Sequence, residues 1–262
     1  MDFNLRGKNA LVCGSTQGIG RATALELARM GANVILLARN EEQLKKTQAE
    51  LDNTQQQLHG YLCTDFTKPD ELKARAEQLV KERKTIHILI NNTGGPAGGP
   101  ALNAKAEEFV QAFSNHLLCN HLLVQTVAEG MKQAKYGRIV NIISTSVKQP
   151  IKGLGVSNTV RAAVANWSKT LSVELAPFGI TVNNVLPGAT LTQRLSSLLE
   201  AKSQKTGQAI DLLKQEMLEE IPAARFAEAS EIANAVAFLA SPAAAYITGI
   251  NVPVDGGRTQ CL

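Results

Sequence analysis

From Asn9 almost to the carboxyl end, short apolar runs alternate with amphipathic stretches, and this alternation limits the chain to few folds. The runs Asn9–Cys13, Asn33–Ala38, 58–63, 86–90, 137–143, 181–186 and 250–254 are rich in Val, Ile and Leu and read as strands. Between them, Gly18–Arg29, 41–52, 69–84, 107–133, 158–176 and 230–239 place apolar residues at helical spacing. Strands apolar on both faces need helices above and below them, and strand–helix alternation gives right-handed parallel crossovers. The expected fold class is therefore α/β, a doubly wound parallel sheet. A further helical pattern at 195–220 falls between two late strands and reads as an insertion of about 193–222 over the carboxyl edge of the sheet.

At 262 residues and 44% hydrophobic composition, a single α/β domain spanning 1–262 can bury most of its apolar surface. No stretch approaches the ~20 apolar residues that cross a bilayer. The first apolar run is too short and too polar at its flanks for a signal peptide. Cys13, Cys63, Cys119 and Cys261 are scattered without metal-ligand spacing and read as small buried hydrophobes in a reducing, cytoplasmic protein with no metal. The net charge of +4 comes from basic residues that alternate with acids along helices, which describes solvated faces and not a nucleic-acid stripe.

The first strand runs directly into Cys13-Gly14-Ser15-Thr16-Gln17-Gly18-Ile19-Gly20, where a helix opens. Glycines at 14, 18 and 20 allow a tight turn, close backbone approach to a pyrophosphate and close packing of helix on strand. The helix N-terminus then offers free N–H groups and a positive dipole end to phosphate. A glycine cluster alone says little, but a strand–turn–helix setting makes this one a dinucleotide site.

The spacing Gly-x-x-x-Gly-x-Gly resembles that of the short-chain dehydrogenase/reductase family, close to its 3-oxoacyl-[acyl-carrier-protein] reductase branch. The resemblance continues through Asp65, Asn91-Asn92-Thr93-Gly94, Gly137–Asn141 leading to Ser144, Pro187-Gly188 through Thr192, and Asp255-Gly256-Gly257. It implies a Rossmann-type domain in which Gly14, Ser15, Gln17, Gly18, Ile19, Gly20, Asp65, Asn92, Gly94, Pro187, Gly188 and Thr192 contact a nicotinamide dinucleotide. After the second strand, the position where NAD-preferring sites carry an acid is Ala38, followed by Arg39. A guanidinium pairs with a 2′-phosphate that a carboxylate would repel, so the expected cofactor is NADP(H).

The same resemblance exposes a departure. Family members carry out proton transfer with Asn, Ser, Tyr and Lys. Here the Ser position is Ser144, the Tyr and Lys positions fall on Ser157 and Arg161, and the Asn position falls on His116 or the adjacent Asn115. A serine hydroxyl is a far weaker acid than a phenol of pKa ~10. A permanently charged guanidinium passes no proton but donates hydrogen bonds to ribose hydroxyls or an oxyanion. Lys148 could supply the missing acid or be an ordinary loop lysine; His116 could relay protons or be a packed core group. The glycine- and proline-rich stretch 94–100 would floor the nicotinamide pocket or form a plain loop.

These readings predict an NADP(H)-dependent oxidoreductase that transfers hydride to or from a small carbonyl or alcohol substrate, with Ser144, Ser157, Arg161 and Lys148 as altered proton-transfer residues. The alternative is a catalytically silent NADP(H)-binding sensor or interaction partner. Neither nucleic acid nor membrane is expected as a partner. The resemblance implies a homotetramer built through 107–133 and 158–176, with Trp167 and Leu171 either at that interface or in the core.

Overall fold

A computed structural model describes residues 1–261; the last residue of the expected 1–262 domain lies outside the described residues. Among the described residues the strands are β1 (Asn9–Cys13), β2 (Asn33–Ala38), β3 (Gly60–Cys63), β4 (Ile88–Asn91), β5 (Gly137–Ile142), β6 (Ile180–Pro187) and β7 (Asn251–Val254). They form one sheet in the order β3-β2-β1-β4-β5-β6-β7, with every pair parallel. The helices are α1 (Gly18–Arg29), α2 (Glu41–Ala49), α3 (Pro69–Arg83), α4 (Ala106–Phe113), α5 (Cys119–Ala134), α6 (Gly155–Leu175), α7 (Gln193–Thr206), α8 (Ile210–Glu219) and α9 (Ala229–Ala240). This is the doubly wound, Rossmann-type arrangement anticipated from the alternation.

Successive strand residues serve opposite faces, which is why the runs are apolar throughout. Val12, Leu36, Ile90 and Val140 join Leu27 of α1 and Val236 of α9 on one side. Their neighbours Leu11, Ile35, Leu89 and Ile139 join Leu72 of α3 and Leu123 and Val127 of α5 on the other. Each Leu or Ile sealed this way contributes about 1.5–3 kcal/mol. Trp167 and Leu171 of α6 pack against the second cluster, so both serve the core of their own chain.

Several boundaries differ from expectation for local reasons. The pattern 107–133 is not one regular helix: a single π-helical segment, Ser114–Leu118, joins α4 to α5 and carries the buried His116. Insertions of this kind favour functional positions over regular interiors. The pattern 195–220 is broken by Gly207, whose φ of 72° ends α7 in the left-handed conformation before α8 begins. Helix α6 starts at Gly155 and not at 158, so Ser157 lies in its first turn. A Cβ at Gly155 would sit 2.4 Å from the Ala101 backbone nitrogen, so a glycine is needed for this close approach. The cysteine reading holds for Cys13 and Cys119, which are buried; it fails for Cys261, which is exposed, and Cys63 is only partly buried. No described helix is long and apolar enough to cross a membrane.

Candidate active site

The strand order reverses direction between β1 and β4, and ligands of open α/β sheets bind outside the carboxyl ends at such a point. The glycine turn leaves β1 there. Gly14 and Gly18 adopt φ of 59° and 53°, which side-chain-bearing residues rarely adopt. A Cβ on Gly20 would lie 2.1 Å from the Gly14 carbonyl oxygen, so helix α1 can enter this closely only through glycine. Gln17 begins α1 without a side-chain cap, leaving the N–H groups of the first turn open to a ligand. Asn92, just past β4, ties the turn down by donating to the Cys13 and Gly14 carbonyls, both at 3.3 Å.

The other cofactor candidates gather at this edge, with distinctions that the sequence did not reveal. Ser15 is fully buried, and both its hydroxyl and its backbone N–H donate to the Leu37 carbonyl at 3.4 Å, so it anchors the turn to β2 and offers no free donor to a phosphate. Ile19 packs against the core. Arg39 is exposed at the end of β2 and pairs with no acid among the described residues. Asp65 follows β3, and its carboxylate accepts the Thr67 backbone N–H at 2.9 Å. Gly94 has open space where a side chain would begin. Pro187 closes β6, and Gly188 hydrogen-bonds the Val254 carbonyl while packing against Asp255 too tightly for a Cβ. Thr192 precedes α7 and lies 3.1 Å from the Cβ position of Gly18, which brings the two phosphate-side segments together.

Ser144, Ser157 and Arg161 converge beyond β5. Ser144 starts a short turn, Thr145–Val147, and accepts the Ser146 N–H at 3.1 Å. Ser157 and Arg161 are one helical turn apart on α6, both 8% exposed, and α6 packs against the Ser144 turn. The Arg161 guanidinium spans to β5, where Nη1 donates to the Ile142 carbonyl at 3.0 Å; its Nε is buried without a partner. Burial and the nearby Arg194 lower the Arg161 pKa to about 10, still well above neutrality. Lys148 is half-buried after the same turn.

His116, 2% exposed on the π segment, is held neutral. Burial, then the positive charges of Arg161 and Arg194, push its pKa down to about 2. It therefore carries no imidazolium proton to give up near neutral pH. Asn115, its neighbour, accepts from Gln111 on the exposed face.

The segment 94–100 is not a free loop. Gly99 N–H donates to the Gly153 carbonyl at 2.6 Å, and Gly155 N–H donates to the Gly99 carbonyl at 2.9 Å, stapling it to the start of α6. From the other side, Arg194 of α7 donates to the Pro96 carbonyl at 2.5 Å. Helices α7 and α8 share a small cluster of Leu195, Leu199 and Leu213 with Met217 and Phe226. A cavity of about 310 Å³ beneath them is lined by Leu191, Leu195, Leu199 and Phe226.

Among these residues, the sequence reading missed Arg194, hidden in a mixed-charge helix. It also missed a row of asparagines: Asn91 donates to Asn141 at 2.8 Å, Asn141 to Asn184 at 2.9 Å, and Asn184 to Asn251 at 2.8 Å. These residues are direct register partners across β4, β5, β6 and β7. Their sequence signal was an asparagine within the apolar runs of β5 and β6 and at the ends of β4 and β7.

A family model described as enoyl-(acyl carrier protein) reductase matches residues 14–259. The 3-oxoacyl-[acyl-carrier-protein] reductase of Haemophilus influenzae is 36% identical over 97% of this chain and 98% of its own. The chain is an oxidoreductase of the short-chain dehydrogenase/reductase family. Within that family it also resembles an NADPH-dependent reductase of Bacillus subtilis, 29% identical over 97% of this chain and 99% of that protein. Two solved members superpose closely on it. L-Sorbose reductase from Gluconobacter frateurii, solved with NADPH and L-sorbose, covers both chains fully at a TM-score of 0.92 and 28% identity. An actinorhodin polyketide ketoreductase with NADPH gives a TM-score of 0.90 at 30% identity, covering 97% of this chain and 98% of its own.

Proposed function

We propose that this short-chain dehydrogenase/reductase uses NADP(H) to reduce a small carbonyl compound, or to oxidise the corresponding alcohol, with a rebuilt proton-transfer apparatus. The observation that carries the reading is the uncapped start of α1 behind a turn that only glycines can form. That cradle suits a pyrophosphate, and the N–H groups of the first turn of α1 would hold it. Arg39 would pair with the 2′-phosphate, Asp65 would meet the adenine, and Asn92, Gly94, Pro187, Gly188 and Thr192 would line the nicotinamide half. NADPH-bound relatives support the choice of cofactor.

When bound, the nicotinamide supplies or accepts the hydride. The chain's own residues do the rest. Ser144 and Ser157 donate hydrogen bonds to the substrate oxygen, and Arg161 stabilises negative charge developing there and holds ribose hydroxyls. Lys148, on the same turn as Ser144, delivers the proton. The α7–α8 pair, about 193–222, acts as a helical lid that excludes water. Exposed apolar side chains at Val110, Phe113, Leu118 and Val173 support a homotetramer assembled through the long helices.

The deciding experiment follows NADPH absorbance with simple ketones, aldehydes, oxo acids and 3-oxoacyl thioesters, using wild type and the Ser157→Tyr/Arg161→Lys double variant. Turnover by the wild type that falls on Ser144→Ala supports the rebuilt site. A wild type that binds NADPH yet is inert on every substrate, beside an active double variant, replaces this reading with that of a silent NADP(H)-binding protein.

A further inference from the structure

Two guanidinium groups, those of Arg161 and Arg194, lie close enough for the charge of one to act on the other, and no carboxylate among the described residues pairs with either. Arg161 comes from α6 and spends Nη1 on the Ile142 carbonyl, leaving a buried Nε without a partner. Arg194 comes from α7 and spends Nη2 on the Pro96 carbonyl. Its guanidinium lies against Gly95, where a Cβ would stand 3.1 Å from Nη2 and 3.4 Å from Cζ, so the glycine makes room for it. A guanidinium has five N–H donors, so both arginines retain unused ones.

The electrostatics agree with the hydrogen-bond geometry. Burial pulls the pKa of Arg194 down, and burial together with Arg194 does the same to Arg161. Both charges bear on His116, which stays neutral and so provides no counter-charge. Two partly desolvated cations without an anion are costly to hold together. A ligand carboxylate would relieve that cost and take the paired N–H geometry that guanidinium offers.

We propose that Arg194 receives a carboxylate on the substrate, with the charge of Arg161 adding to the attraction, so that the compound reduced is a small oxo acid and the product its hydroxy acid. This rests on the oxidoreductase reading above and narrows its substrate class. In that reaction the oxo carbon gains a hydride, its oxygen gains a proton, and NADPH is oxidised to NADP⁺. Arg194 is the specificity determinant, since it enters from the lid helix and belongs to none of the family motifs.

The same donors could instead serve a phosphate of the dinucleotide, and calorimetry separates the two sources. NADP⁺ is titrated first; the NADP⁺ complex, and separately the free protein, are then titrated with 2-oxobutyrate, acetoacetate and the neutral methyl acetoacetate. The expected result is that at least one oxo acid binds 10- to 100-fold more tightly than the ester. Arg194→Gln should abolish that preference, Arg194→Lys should restore only part of it, and the NADP⁺ affinity should change less than twofold, with melting temperatures confirming intact folds. Equal binding of acids and ester by the wild type overturns the proposal, as does an Arg194→Gln variant that weakens NADP⁺ by tenfold or more. Failure of the free protein to bind NADP⁺ defeats the oxidoreductase reading instead; Arg194-dependent oxo-acid binding would then still uphold the carboxylate site.

Discussion

Replacing Asn141 with alanine removes the middle of a hydrogen-bonded row that crosses the sheet. Asn141 is fully buried; its Oδ1 accepts from Asn91, and its Nδ2 donates to Asn184 and to Ser168 at 3.2 Å. After substitution, Asn91 Nδ2 and Asn184 Oδ1 lose these partners at positions that water reaches poorly. Each buried group left unpaired costs about 1–3 kcal/mol, so the variant should lose about 2–6 kcal/mol. For a chain of this size, 1 kcal/mol shifts Tm by about 2–4 °C, so a central value of about 4 kcal/mol moves it by about 8–16 °C. Urea unfolding followed by circular dichroism, at two protein concentrations to separate assembly from folding, measures the difference. Asn251→Ala makes the comparison internal. Asn251 is only half-buried at the edge of the row and touches one partner in it, so its loss should cost about 0.5–1.5 kcal/mol. A loss below about 1 kcal/mol for Asn141→Ala, or one no larger than that for Asn251→Ala, refutes the account of Asn141 as the buried centre of a hydrogen-bonded row.

Arg39→Ala should weaken NADPH binding by about 10- to 100-fold while leaving NADH unchanged, as expected for loss of a charge-assisted phosphate contact; fluorescence titration with both cofactors checks this, and equal effects on the two would refute the 2′-phosphate assignment. Gly20→Ala places a methyl group 2.1 Å from the Gly14 carbonyl oxygen, so the turn must shift and dinucleotide affinity should fall at least tenfold by calorimetry. His116 has a folded pKa of about 2 against 6.5, so it stays neutral in the fold while the unfolded chain takes up its proton below pH 6.5. Its contribution is full above pH 6.5 and declines as pH falls from there toward 2. His116→Gln should therefore reduce the stability loss between pH 7 and pH 5 by roughly 2 kcal/mol, read from urea midpoints at the two pH values. Lys148→Met should lower kcat by about 10²-fold or more and change the pH–rate profile, whereas an unaltered profile would remove Lys148 as proton donor.

Much of this protein was legible without coordinates. Apolar runs such as Ile35–Leu37 reveal a doubly covered parallel sheet because burial on both faces leaves no room for alternation, and the glycine spacing reports a left-handed backbone at Gly14 and Gly18 and a close approach of helix to strand at Gly20. Those signals are local. The expected single helix over 107–133 missed the π segment because nothing in a 3.6-residue period registers one extra residue per turn. The break at Gly207 was readable in principle, since glycine ends helices, but the apolar spacing on either side concealed it. What only the tertiary structure decided is which polar groups meet. Asn91, Asn141, Asn184 and Asn251 are separated by 50, 43 and 67 residues and form a row only because the strand register aligns them. Arg194 and Arg161 share a field with His116 only because α7 folds back over the strand ends. Charge and hydrogen bonding act through space at a few ångströms, so the burial that holds His116 neutral and leaves Arg161 Nε without a partner is a property of packing, which residue order along the chain does not express.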